Sequence, residues 1–434
     1  MKTTIPATEV HEDFDFVETS GGIEEYRLKA NDLQVLLYPE AVAPVATLMV
    51  TYRVGSGDEA TGLTGATHFL EHLMFKGTER FNKRKGTSAF NVLQRVGAQV
   101  NATTSNDRTN YYELLPKEHL PLAVEIEADR MRGALITPDD LEAERTVILN
   151  ELDRSQNEPL RNLYKALWSV AYLAHPYHHP TIGWRSDVEE MTVEGLRHFY
   201  DTYYWPNNAT VTIVGDVERA EALGLVGRHF GPIPRSPAAL PTVRTREPEQ
   251  RGERRLVVRA AGHVGAFMVG YKVPPVLHPD TDALDTLAWL LADGKSSRLY
   301  RRLTDQGLTA QMMASTSHTR DPGLLYFMAL LAPGRTHEEV EAAINEVVEQ
   351  VQNEGITEAE LQRTKNQLRA QEAYSHDGSY AIALQLNEAI AAGDWKLFTT
   401  FRERLERVTP DDVQRVARTY LSADTRTVGW HVPV

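Results

Sequence analysis

Near the middle of the chain, residues 231–252 read GPIPRSPAALPTVRTREPEQRG, with five prolines and neither a helical period nor a strand's alternation. Proline lacks an amide proton and fixes its own φ, so this stretch cannot continue through the interior of a helix or sheet. It reads as a linker, residues 231–252, between a first domain over 1–230 and a second over 253–434. The chain's 434 residues also exceed one ordinary core.

The two halves echo each other. The first opens on a strand-like run at 46–54 (ATLMVTYRV), then a glycine-containing loop and a helix. The second opens on GAFMVGYKV at 265–273, then a proline-rich loop and a helical run at 282–292. Such a long-period likeness is what a duplicated domain leaves. Further along, β-rich stretches at 210–214 and 324–331 mix with amphipathic helices such as 337–353. Helices of irregular length between strands favour an α+β fold: two similar domains, each a mostly antiparallel sheet covered by helices.

Charge and composition narrow the function. A formal net charge of −14 opposes binding to nucleic acid phosphates. There is no cysteine, which removes disulfides, thiol nucleophiles and sulfur-ligated zinc, and leaves histidine and carboxylates as the strong metal ligands. Residues 1–25 lack the apolar core of a signal peptide, and the apolar runs at 45–50 and 287–292 are too short to span a membrane. A cytoplasmic chain with no membrane span is expected.

One segment carries chemistry. Residues 61–77 (TGLTGATHFLEHLMFKG) read as a helix, with Thr and Gly at its start and Gly77 as its stop. Residues three and four apart share a helix face, so His68 and His72 can hold one ion between them with Glu71 alongside. Two imidazoles and a third protein ligand form a catalytic zinc site that keeps one position open for water. A carboxylate outside the ligand set can take that water's proton, and Glu71 is placed to do so. Candidates for the third ligand lie on a second helix at 137–154, which opens with Thr-Pro-Asp-Asp. Glu144 and Glu151 are seven apart, on one stripe with Leu141 and Ile148, so both are expected to be partly buried. Spacing does not choose between them.

The inverted His-x-x-Glu-His motif, followed downstream by RTVILNE at 145–151, resembles the pitrilysin/insulinase metallopeptidases. The size and two-half layout are most similar to the mitochondrial processing peptidase β subunit and its bacterial relatives. FKGT at 75–78, NATTS at 101–105, Tyr111-Tyr112, HPY at 175–177, YYWP at 203–206 and Gly215-Asp216 match the same family in order. The resemblance implies Zn2+ as cofactor, one per chain, with His68, His72 and Glu151 as ligands. It implies Glu71 as catalytic base and Glu144 as an acid supporting the catalytic site from behind its ligands. It makes the stretch 97–104 an edge strand that binds peptide by strand addition, with Asn101 and Ala102 at the contact. The cluster His175-Pro-Tyr-His178-His179 matches a family loop without a metal role.

The second half departs from the family. Single-chain relatives and their non-zinc partner subunits carry an Arg and a Tyr, seven residues apart, that steady substrate and developing oxyanion. Aligned on Gly307-Leu308, those positions are Leu303 and Ala310. The neighbouring Arg302 has no Tyr following at that distance. The resemblance therefore implies a heterodimer: this chain brings zinc and base, and a homologous subunit without zinc ligands brings the Arg/Tyr pair. A catalytically silent subunit of the same fold is the alternative, opposed by the presence of His68, Glu71, His72 and Glu151 together.

Overall fold

Seven strands make the first sheet: β1 (Phe14–Ser20), β2 (Ile23–Leu28), β3 (Leu33–Pro39), β4 (Val45–Tyr52), β5 (Gln99–Thr104), β6 (Thr109–Pro116) and β7 (Ala209–Gly215). Five make the second: β8 (Arg254–Ala260), β9 (Ala266–Val273), β10 (Thr309–Thr316), β11 (Gly323–Leu331) and β12 (Arg426–Pro433). The computed structural model describes residues 11–156, 158–243 and 245–434.

The first sheet runs β1-β2-β3-β7-β4-β6-β5 and the second β10-β11-β9-β12-β8. Without β1 and β2, the first becomes β3-β7-β4-β6-β5 and matches β8-β12-β9-β11-β10 strand for strand. The directions match too. β3 lies parallel to β7 and β8 to β12, while every other neighbouring pair is antiparallel. This is the duplication that the two strand-like runs at 46–54 and 265–273 announce; they become β4 and β9, the central strands. The α+β layering is as the sequence implies.

Chain contacts divide the molecule into two units. One comprises residues up to Leu149, Thr181–Arg244 and Tyr374–Thr399; the other comprises Asn150–Pro180, Thr245–Ala373 and Thr400–Val434. These units differ from contiguous halves by an exchange of helices. The helix Ser379–Ala392, from late in the chain, lies on the first sheet, where Ile382, Leu386 and Ile390 bury against Leu36, Met49 and Val214. Thr47 and Thr51 of β4 would be stranded beneath it, but they meet Ser379 Oγ and Asn387 Oδ1 at 2.8 Å each. The helix Pro159–Ala171, from early in the chain, lies on the second sheet through Leu163, Leu167 and Trp168. Leu163 sits over Gly429 of β12, where a Cβ would lie 2.9 Å from its Cδ1, so glycine allows that approach. Residues 231–243 and 245–253 form no helix or strand.

The opposite face of the first sheet packs on three helices that position the site. They are α1 (Ala66–Leu73), α2 (Leu120–Gly133) and α3 (Pro138–Gln156). The division at Leu149 falls inside α3, which is one continuous helix. Among the described residues no helix is long and apolar enough to cross a membrane.

Candidate metal centre

Two carboxylates hold the turn that leads into α1. Asp187 accepts from the amides of Gly62 and Thr64 at 3.1 Å and from the Thr64 hydroxyl at 2.7 Å. Buried Glu59 accepts from the amides of Gly65 (2.8 Å) and Thr67 (2.7 Å), donors that a helix start leaves unpaired. Gly65 has φ +88°, and a Cβ there would lie 2.7 Å from the Ile182 carbonyl oxygen. The helix therefore begins at Ala66, five residues later than the sequence pattern suggests, and ends at Leu73.

Burial pushes the Glu59 carboxyl up to about 8, outweighing the hydrogen bonds it receives. Because this lies above the ~4.3 of an unfolded glutamate, the native state holds the proton more tightly. The resulting stabilisation is complete below roughly pH 4 and is lost as pH rises through about 8. Glu59→Gln is expected to flatten the decline of the unfolding midpoint across that window, measured by thermal unfolding at stepped pH. An unchanged profile would assign the decline to another group.

Phe69, Leu70 and Leu73 bury one face of α1, and His68, Glu71 and His72 remain half-buried on the other. The imidazoles of His68 and His72 lie with centroids 4.7 Å apart. Glu151, on α3, completes the group: one donor atom from each of His68, His72 and Glu151 lies within 4.8 Å of the other two. Burial, and then the neighbouring His72, push His68 down to about 3, so it stands neutral as a metal ligand must. Two imidazoles and a carboxylate, without sulfur, fit the donor set of a catalytic zinc site.

Behind His72 lies Glu144. Its Oε2 is 2.8 Å from His72 Nδ1, and its Oε1 pairs with the Lys76 ammonium. The His72 hydrogen bond, aided by Lys76, holds this carboxyl down at about 2 despite burial. An ionised Glu144 can only accept, so Nδ1 carries the proton and Nε2 is the donor left for an ion. The two acids of α3 thus differ in setting: Glu144 is buried and Glu151 is exposed. The buried stripe runs through Leu141, Glu144, Ile148, Leu152 and Ser155. Past Ile148 the stripe continues through Leu152 and Ser155, and Glu151 falls outside it.

Glu71 accepts a hydrogen bond at Oε2 from the hydroxyl of Thr104, the last residue of edge strand β5. Asn101 and Ala102 lie earlier on that strand. Ala102 is buried in the core that also holds Phe69 and Leu73, and Asn101, on the alternate face, is exposed. Beneath the site, Arg130 of α2 lies against Tyr111 and Phe75, 4.4 and 5.2 Å from their ring centroids, with Glu113 and Glu127 on its guanidinium.

The second sheet has no counterpart to these ligands. The helix Thr281–Ala292 follows β9 as α1 follows β4, and it carries no histidine. Leu303 is a fully buried core residue, Ala310 is exposed on edge strand β10, and Arg302 is paired with Glu346 at 2.8 Å. In the 175–179 loop, His175 Nδ1 accepts from the Tyr177 amide at 3.3 Å and its Nε2 lies 3.4 Å from Asp321. Among the described residues the only ligand group is that of His68, His72 and Glu151.

Glu59, Lys76 and Thr104 contact α1 or the acids beside it, and sequence reasoning does not assign them. Lys76 sits one helical turn past His72 and Thr104 lies within the NATTS run, so both were within view. Their partners, Glu144 and Glu71, are 68 and 33 positions away, beyond any local pattern. Glu59 has no sequence signal.

Residues 34–183 match the domain described as insulinase (peptidase family M16), and residues 190–368 match the peptidase M16 inactive domain. The chain is 32% identical over 402 residues to the zinc protease PqqE of Helicobacter pylori, covering 92% of this chain and 90% of that protein. It is 24% identical over 402 residues to a probable mitochondrial-processing peptidase subunit beta of Arabidopsis thaliana, covering 90% of this chain and 75% of that one. Its fold matches the crystal structure of a protease from Helicobacter pylori with a TM-score of 0.90 at 31% identity, over 95% of this chain and 99% of the other.

Proposed function

Because this chain belongs to the insulinase family of peptidases, family M16, we propose that it is a zinc-dependent endopeptidase acting on extended or unfolded peptides. The convergence of His68, His72 and Glu151, with Glu71 on the same helix face, carries this reading. His68, His72 and Glu151 would hold the ion, which when bound polarises the scissile carbonyl and lowers the pKa of a water. Glu71 takes a proton from the attacking water and delivers it to the leaving amine. Glu144 fixes the His72 ring in the tautomer that offers Nε2. Edge strand β5 offers unpaired main-chain groups for strand addition, so affinity depends little on peptide sequence, with Asn101 and Ala102 at the contact.

In the same reading, residues 1–230 are the catalytic domain, 231–252 the linker, and 253–434 a homologous domain without metal ligands. The working enzyme is a heterodimer whose second, homologous chain supplies the Arg/Tyr pair. Buried Leu303 and the short side chain of Ala310 favour this, since neither can donate a hydrogen bond to an oxyanion.

The test is metal analysis and cleavage of a fluorogenic unstructured peptide, by the chain alone and with increasing amounts of such a partner. About one zinc per chain is expected, with cleavage rising steeply to saturation at equimolar partner and abolished by chelation. Full activity of the lone chain would remove the heterodimer. Zinc without cleavage under any condition would favour the silent-subunit alternative.

A further inference from the structure

The end of edge strand β5 is held more firmly than an edge strand requires. Arg108 donates to the Thr103 carbonyl (3.0 Å) and hydroxyl (2.5 Å), and its guanidinium is itself bound by Glu388. The Thr103 hydroxyl in turn donates to Asn110 Oδ1 on β6 at 2.5 Å. The Ser105 amide bonds the Arg108 carbonyl at 2.9 Å, and the Ser105 carbonyl receives the Ser56 amide at 3.0 Å. Successive side chains on a strand point to opposite faces. Thr103 is turned to Arg108 and Asn110, and Thr104 is turned, like buried Ala102, to the side where α1 packs. There its hydroxyl donates to Glu71 Oε2.

We propose that Thr104 is a positioning residue for the Glu71 carboxylate, tying the proton acceptor of the catalytic helix to the strand that receives the peptide. The proposal rests on the peptidase reading above. A glutamate has three rotatable side-chain torsions, and a general base works only within hydrogen-bond reach of the proton it takes. α1 fixes the Glu71 backbone, and a second anchor is needed to fix its carboxylate. Thr104 supplies that anchor from a strand braced by Arg108. The β-branched side chain holds χ1 with little freedom, so the hydroxyl is itself well placed. The carboxylate and the docking strand then keep one spacing whichever peptide is bound. Nothing in this arrangement reads the peptide's sequence.

The test compares Thr104→Val, which keeps shape and branching but removes the donor, with Thr104→Ser, which keeps the donor. In the holoenzyme with its partner, Thr104→Val is expected to lower kcat by about 10–100-fold, with KM and zinc content unchanged, and Thr104→Ser to restore most of the rate. On a Glu71→Gln background, Thr104→Val should cause no further loss and leave peptide Kd unchanged. A rise in KM at constant kcat would make Thr104 a substrate contact only, and an equal loss on both backgrounds would detach it from Glu71; either overturns the proposal. Crystal structures of zinc-loaded wild type and Thr104→Val give an activity-independent reading. A Glu71 carboxylate displaced or disordered in the variant is expected, and an unmoved one overturns the proposal. If the wild type proves unable to cleave peptides, the peptidase reading fails, while the crystal structures still decide whether Thr104 holds Glu71.

Discussion

Glu71→Gln is expected to lower peptide cleavage by about 10²–10⁴-fold, with zinc still bound at about one ion per chain. Glutamine has nearly the shape of glutamate and keeps a carbonyl oxygen for the Thr104 hydroxyl, so the helix face and ligand geometry are preserved. What it lacks is a carboxylate oxygen that can take the proton from water. Loss of the base alone would therefore leave both metal content and peptide binding intact, which separates chemistry from folding. The same substitution discriminates among the four side chains of the centre. Removing His68, His72 or Glu151 strips a donor from the ligand group and should lower zinc content together with activity. Zinc content and cleavage, measured side by side on the same preparation with partner present, decide the matter. A Glu71→Gln protein that retains cleavage within a few-fold of wild type would require another base. One that loses its zinc would make Glu71 a ligand instead.

Much of this centre was legible in the sequence because helices place residues by short-range rules. His68, Glu71 and His72 needed only the three-and-four spacing of a helix face. The helix α3 was marked by Thr137-Pro138-Asp139-Asp140, and the Thr137 hydroxyl does meet the Asp140 amide at 3.2 Å. The start of α1 was less legible. Gly62 and Gly65 hold φ near +90°, and a propensity pattern does not reveal which glycines a turn drives into that region. The exchange of helices was hidden for another reason. Residues 159–171 and 379–392 are rich in apolar side chains, but composition does not say which sheet each helix covers. Long-range polar contacts were the least accessible. Lys76 and Thr104 matter through partners brought near only by the fold, and Glu59 through amides that exist as unpaired donors only once α1 has formed.

The largest effect on stability is expected at a residue that touches neither metal nor substrate. Arg130 is 2% exposed and lies between Glu113 and Glu127, both fully buried. One guanidinium faces two carboxyls. Burial and the neighbouring Glu127 push Glu113 far above the ordinary carboxylate range, and among the described residues the Arg130 guanidinium is the one cation that faces the pair. Arg130→Met would leave two buried carboxyls without their guanidinium partner, and breaking a buried ion pair in this way costs about 3–5 kcal/mol. Lost contact with the Tyr111 and Phe75 rings adds to that. Phe75 lies just past α1, so the metal helix should loosen with the core beneath it. Since a chain of two units need not unfold in one step, native-state hydrogen exchange at the β4 and β6 amides is the appropriate measurement, with zinc retention as a second readout. Replacing Arg130, Glu113 and Glu127 together with Met, Leu and Leu should recover most of the loss, because no charge is then stranded and an apolar cluster fills similar volume. A loss below about 1 kcal/mol for Arg130→Met alone would show that the buried carboxyl pair is satisfied without the guanidinium. Failure of the triple replacement to recover would instead place the network's worth in the rings and hydrogen bonds it orients rather than in its charge balance.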